Sequence, residues 1–88
     1  MPRAPINANV THPADRKAVR EFWLRVKEAA AVQHGTMLAF IDDFGMTAPA
    51  VYDRLNDPDR FTVGELRELR HTLGMNKAEL IEWLRPLL

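Results

Sequence analysis

Cysteine and serine are both absent from the 88-residue sequence. Without cysteine there is no disulfide and no thiolate ligand for zinc, a composition that fits a reducing cytoplasm. The usual nucleophiles of covalent catalysis are missing as well. The three histidines, His12, His34 and His71, are far apart in the sequence and have no acidic neighbours at ligand spacing, so we expect no metal site. The sequence therefore predicts a cytoplasmic protein that is not an enzyme and holds no cofactor.

Long apolar runs are also lacking. No segment approaches the length needed to cross a bilayer, and residues 1–10 lack the apolar core of a secretory signal. A chain of this length has room for one domain with a thin core, and not for the deep pocket in which most enzymes hold a substrate. We therefore expect a single domain without a membrane partner.

A net charge of either sign is missing, because the 12 basic and 12 acidic residues cancel. Proteins that bind DNA chiefly through its phosphates usually carry a basic excess. The charge is unevenly distributed along the chain. Residues 1–35 have six basic and three acidic side chains, whereas 36–62 have two basic side chains and five aspartates. The middle of the chain is therefore acidic, with a net charge of −3.

Residues 1–14 form a predicted N-terminal arm, and 15–88 form the predicted helical domain. The arm contains three prolines and no helical period, but Ile6, Ala8 and Val10 alternate with polar residues as in a strand. Two interpretations remain open for it. It is a disordered terminus, or it is an arm that binds a second subunit or another partner.

The first predicted helix begins between Thr11 and Asp15 and ends at Gly35, a typical left-handed cap. One apolar stripe recurs along it at steps of three and four residues, made up of Val19, Phe22, Trp23, Val26, Ala29 and Ala30. Five basic residues occupy its other sides: Arg16, Lys17, Arg20, Arg25 and Lys27. They are a solvated face, partly paired with glutamates on the same helix, or they contact a phosphate backbone.

Two short helices follow, over 37–44 and 48–56. Thr36 caps the first, Gly45 ends it in a tight turn, and Thr47 caps the second, with Pro49 in its first turn. The spacing of Val51 and Leu55 places both on the inward face of the second short helix.

Two capping boxes, Thr62-x-x-Glu65 and Asn76-x-x-Glu79, open a fourth and a fifth helix. Gly74 closes the fourth helix and Pro86 stops the fifth. The residues expected to pack inward from these helices are apolar: Leu66, Leu69, Leu73, Leu80, Ile81 and Leu84. Trp23 and Trp83, on the first and fifth helices, are also predicted to be core residues.

The stretch from 35 to 84 resembles the Cro/phage-repressor (XRE-like) helix-turn-helix family. The residues that carry the resemblance are G-T-M-L-A-F-I-D-D-F-G at 35–45, V-Y-D-R-L-N-D at 51–57 and F-T-V-G-E-L-R-E-L-R-H-T-L-G-M-N-K-A-E-L at 61–80. The resemblance implies an all-α, five-helix domain of the lambda-repressor type, with the helix at 48–56 in the major groove of DNA. The chain departs from the family pattern at Met37, where a polar residue is usual, and at Ile41, where alanine is usual.

Eight residues of this sequence are predicted to contact DNA. The resemblance places the exposed base-reading positions at Thr47, Ala48, Pro49, Tyr52 and Asp53, and the first four are predicted to lie at base edges, while Asp53 would repel phosphates but could accept from a cytosine amino group. The resemblance also implies a backbone contact at Asn56, and Arg54 and Arg60, the only basic residues nearby, are predicted to hold phosphates. Thr36, at the start of the second helix, completes the predicted interface. None of the base-reading positions is an arginine, lysine, glutamine or asparagine, the residues that make bidentate base contacts.

Two functions follow as hypotheses. The first is a small transcriptional regulator that binds double-stranded DNA as a homodimer. An antitoxin or accessory subunit of a larger assembly, with the contact supplied by the arm at 1–14, is a further possibility. The alternative to the regulator is an adaptor or accessory subunit that binds another protein. In that alternative the acidic and apolar second and third helices form the contact, with Met37, Leu38 and Ile41 in an exposed patch.

Overall fold

The computed structural model describes residues 12–88. Within this range all regular secondary structure is helical, which confirms the all-α fold and the five helices. The helices are α1 (Arg16–His34), α2 (Met37–Phe44), α3 (Ala48–Asn56), α4 (Val63–Thr72) and α5 (Lys77–Leu84), with 3-10 turns at Pro58–Arg60 and Arg85–Leu87. The strand or disorder predicted for the arm falls mostly on residues 1–11, outside the described part.

The helices begin where local chemistry satisfies their first free backbone N–H groups. Thr36 Oγ1 accepts from the backbone N–H of Ala39 at 3.1 Å, and Thr47 Oγ1 accepts from that of Ala50 at 3.4 Å. Each bond of this kind stabilises a helix by about 1 kcal/mol. Both predicted caps are thus confirmed, and they fix where α2 and α3 start.

The two capping boxes are also confirmed. Thr62 Oγ1 accepts from Glu65 N at 3.0 Å, while Glu65 Oε1 accepts from Thr62 N at 2.9 Å. Asn76 and Glu79 make the same reciprocal pair, at 2.9 and 3.2 Å. α1 begins differently, because the side chain of Asp15 makes no capping hydrogen bond.

The core forms around one face of α1, which packs against α2, α3 and α5, while α4 packs against α2. Its members are almost fully shielded from solvent and come from every helix and from the turn between α4 and α5: Phe22, Val26, Ala30, Phe40, Ile41, Phe44, Val51, Leu55, Leu69, Leu73, Met75 and Leu80. Close packing of this many apolar side chains supplies the main driving force for folding.

Three expectations about burial need correction. Ile81 is 50% exposed, so the prediction that it packs inward is wrong. Trp23 and Trp83 are only partly buried and pack against the edge of the core. Periodicity could not distinguish these cases, because α5 is short and residues next to the apolar stripe of a helix are shielded only if another element covers them.

His34 joins three helices at the end of α1. Its Nε2 lies 2.7 Å from the backbone carbonyl oxygen of Thr72 at the end of α4. Its Nδ1 lies 2.9 Å from Asp43 Oδ2 on α2. Because the carbonyl oxygen can only accept, Nε2 is the donor. His34, which has no acidic neighbour at ligand spacing in the sequence, therefore links α1 to both α2 and α4.

None of the helices within 12–88 combines the length and the apolar character needed to cross a membrane.

Candidate nucleic-acid interface

α2, a three-residue turn and α3 form the unit on which the predicted interface depends. Gly45 has a φ of +81° in the left-handed region, where a side chain is disfavoured. Val51 and Leu55 are 3% and 0% exposed, so they fix α3 against the core. Two helices joined by such a turn have the lengths of a helix-turn-helix.

The N-terminal end and the outer face of α3 remain open to solvent. Thr47, Pro49, Asp53 and Asn56 are exposed, and Ala48 is half-buried. Thr47 Oγ1 already accepts one hydrogen bond to cap α3, so its hydroxyl hydrogen, its second lone pair and its methyl group are left for an outside partner. The face is therefore accessible but carries no cation, and its one charge is that of Asp53.

Tyr52 is half-buried against α1. Its ring stacks on that of Trp23, with centroids 6.0 Å apart and planes inclined by 24°. Lys27 Nζ lies 5.9 Å from the Trp23 centroid. Tyr52, predicted to contact a base edge, thus packs α3 against α1, a role that the sequence did not indicate.

Arg54 is held between α3 and α4. Its Nε donates to Glu65 Oε1 at 2.8 Å and its Nη1 donates to the Ala50 carbonyl oxygen at 3.1 Å. The hydrogen bond to Glu65 raises the pKa of Arg54, and the same bond, helped by that of Thr62 N, lowers the pKa of Glu65. Arg54 was predicted to contact a phosphate, and the structure places it in a structural ion pair.

Arg60 bridges two carboxylates. Its Nη1 lies 3.1 Å from Asp53 Oδ2 and its Nε lies 3.4 Å from Asp57 Oδ2. Its side chain is 45% exposed, so this pairing is solvent-screened and weak. Arg60, the second arginine predicted to contact a phosphate, is thus accessible to solvent. Its charge is already offset by Asp53 and Asp57.

A groove of about 550 Å³ separates the first half of α1 from the end of α3. We call it the α1–α3 groove. On one side it is lined by Arg16, Arg20 and Trp23, and on the other by Asn56, Asp57 and Asp59. Asn56, predicted at the interface, therefore lines the same groove as Arg16 and Arg20. The sequence left open whether these two arginines belong to a solvated face or contact a phosphate backbone.

The proposed protein-binding patch on α2 is smaller than expected. Leu38 is 73% exposed and Met37 is partly buried, but Ile41 is only 5% exposed and belongs to the core. Ile41 is therefore unavailable to a partner. Asp42 is exposed one turn after Leu38, Asp43 is exposed but pairs with His34, and Thr36 caps the start of the helix.

Within residues 12–88 no group of three histidine, aspartate or glutamate side chains is arranged to hold a metal ion. No protein-family model, curated protein or solved structure matches the chain.

Proposed function

We propose that the protein is a small DNA-binding transcriptional regulator that inserts the N-terminal end of α3 into the major groove. The observation that carries this proposal is the α2–turn–α3 unit. α3 is fixed from behind by Val51 and Leu55, while its first turn and outer face are open to solvent. A rigid helix with a free N-terminal end is what major-groove binding requires.

The side chains available for base contacts can recognise a base by apolar contact or by accepting a hydrogen bond from it. Pro49 and the half-buried Ala48 offer carbon atoms to a thymine methyl group, and the Asp53 carboxylate can accept from a cytosine amino group. Such contacts discriminate less than a bidentate arginine or glutamine. We therefore expect a modest preference among sequences and a large share of affinity from the backbone.

The test is a salt titration of binding to a labelled duplex of mixed sequence, followed by fluorescence anisotropy. A regulator that neutralises phosphates binds at low salt and weakens linearly in a plot of log affinity against log salt concentration. If the duplex is not bound even at low salt, the proposal is wrong.

A protein-binding adaptor is the second candidate, and specific contacts favour it. Arg54 on α3 and Arg60 just after it are both occupied by carboxylates, and the exposed Leu38 lies one turn before the exposed Asp42. An exposed leucine next to a carboxylate suits a partner with an apolar pocket and a basic rim.

This candidate predicts that Leu38→Asp abolishes capture of a specific protein from extracts of the source cells. Leu24→Asp, which alters a 49% exposed leucine on α1, is the matched control. A protein captured equally by both variants is not a partner of α2, and that result contradicts the adaptor function.

A further inference from the structure

Arg54, on the reading helix itself, and Arg60, in the turn that follows it, are poorly placed to hold DNA phosphates. Arg54 uses Nε and Nη1 for Glu65 and for the Ala50 carbonyl oxygen, and its side chain is only 23% exposed. Arg60 is engaged by Asp53 and Asp57. A phosphate would have to displace these carboxylates, so a DNA-binding face needs cations from another element.

Arg16 and Arg20 meet that need. They are exposed, they lie one turn apart on α1, and neither forms an ion pair with another side chain in the part of the chain that the structure describes. A separation of four residues gives a rise of about 6 Å along the helix. Two guanidinium groups at this spacing can each donate to phosphate oxygens.

The α1–α3 groove places these arginines beside the reading helix. Both line the groove opposite Asn56, the exposed last residue of α3, whose side-chain amide can donate to the same backbone. The Trp23–Tyr52 stack packs α1 against α3. A backbone held at the α1 rim would therefore lie next to the outer face of α3.

Carboxylates restrict where a phosphate can lie in this groove. Asp57 and Asp59 are on the opposite rim, and Asp57 is offset by Arg60 at 3.4 Å. Asp15 precedes Arg16 at the start of α1. Repulsion from the far rim directs the phosphate toward Arg16 and Arg20 and away from Asp59.

We propose that Arg16 and Arg20 of α1, with Asn56, hold the DNA backbone in the α1–α3 groove and supply the main phosphate contacts of the protein. This inference rests on the proposed function, since it names the contacts through which that function would obtain its affinity. Arg54 and Arg60 then act within the protein, by joining α3 to α4 and by offsetting the aspartates.

The experiment compares the salt dependence of duplex binding for the wild type, Arg16→Ala/Arg20→Ala and Arg25→Ala. Arg25 is a matched control, because it is exposed on the same helix but lines a different groove, near Gly74 and Trp83. Each lost phosphate contact lowers the slope of log affinity against log salt by about 0.9. The double variant should therefore lose about 1.8 units of slope, and Arg25→Ala none. Circular dichroism checks that α1 remains helical.

The outcomes separate the two proposals. If the wild type binds the duplex and the double variant has the same slope of log affinity against log salt, this inference is wrong. The DNA-binding function is not affected by that result. A loss of about 0.9 units for Arg25→Ala, in proportion to the one charge it removes, also overturns it, because the effect would then follow net charge and not position. A wild type that binds no duplex at low salt overturns the DNA-binding function and this inference with it.

Discussion

At the scale of single residues, the affinity of the candidate interface for DNA depends on which charged side chains are paired with an opposite charge. Asp53 is the one charged residue on the outer face of α3, and its side chain is 49% exposed despite its contact with Arg60. A carboxylate at this position repels an approaching phosphate backbone. The same side chain supplies one of the two carboxylates that hold Arg60.

Asp53→Asn should therefore strengthen binding to mixed-sequence duplex DNA. The substitution removes one repulsive charge and leaves Arg60 freer to turn toward a phosphate. We expect a gain of about 1 kcal/mol, or roughly fivefold in affinity at low salt. Anisotropy titration measures it, with Glu82→Gln on α5 as a control of equal charge change. Weaker binding by Asp53→Asn would instead indicate that the carboxylate accepts from a base.

The Arg54–Glu65 pair makes stability depend on pH. The hydrogen bond from Arg54 lowers the pKa of Glu65 below its unfolded value. The stabilisation is therefore present above the unfolded pKa and is lost as the pH falls through the lower, folded value. Glu65→Gln should flatten the acid side of the curve of unfolding free energy against pH. Urea unfolding at a series of pH values measures this, and Glu68→Gln on the same helix should keep the wild-type curve.

At the scale of helices, local sequence predicts where elements begin and end better than which faces are covered. α2 and α3 lie at their predicted bounds because Thr36, Gly45 and Thr47 act through contacts within three residues or through their own backbone angle. The buried state of Ile41 and the exposure of Ile81 depend on which other helices pack nearby. Those contacts are between residues distant in the chain, and a single sequence does not contain them.

In the candidate site, too, local sequence predicts some features, whereas others depend on how distant helices pack. The exposed positions of Thr47, Pro49 and Asn56 follow from the capping and periodicity of α3 alone. The Arg54–Glu65 pair joins residues 11 apart across a loop, and the α1–α3 groove joins Arg20 to Asn56. Both require the angle between helices, which the pattern of apolar residues does not fix.

The turn between α2 and α3 provides a test at this scale. Gly45 has a φ of +81°, and a Cβ added there would meet no atom within 4 Å beyond its chain neighbours, so Gly45→Ala costs backbone energy alone. We expect a loss of about 1–2 kcal/mol in unfolding free energy. Gly64→Ala, in the first turn of α4, should instead stabilise by about 0.5 kcal/mol. Chemical denaturation measures both, and equal effects of the same sign would contradict the left-handed turn.

At the scale of the whole molecule, the balanced charge constrains how DNA can be bound. The 12 acidic residues offset the 12 basic ones, so long-range attraction to a duplex is weak. One copy also presents only a short helix with few discriminating side chains. Affinity and selectivity sufficient for regulation then require two copies on one site, which is the basis for expecting a homodimer on DNA.

A dimer with two-fold symmetry makes a prediction about its operator. Sites selected from a random duplex pool should be inverted repeats whose half-sites are about 10 base pairs, or roughly 34 Å, apart. Inserting about five base pairs between the half-sites rotates one half-site to the opposite face of the duplex, whereas inserting about ten restores its face. Binding should thus fall more for the shorter insertion. Anisotropy on the three duplexes measures this, and a selected site without symmetry, bound by one copy, would show that the protein acts on DNA as a monomer.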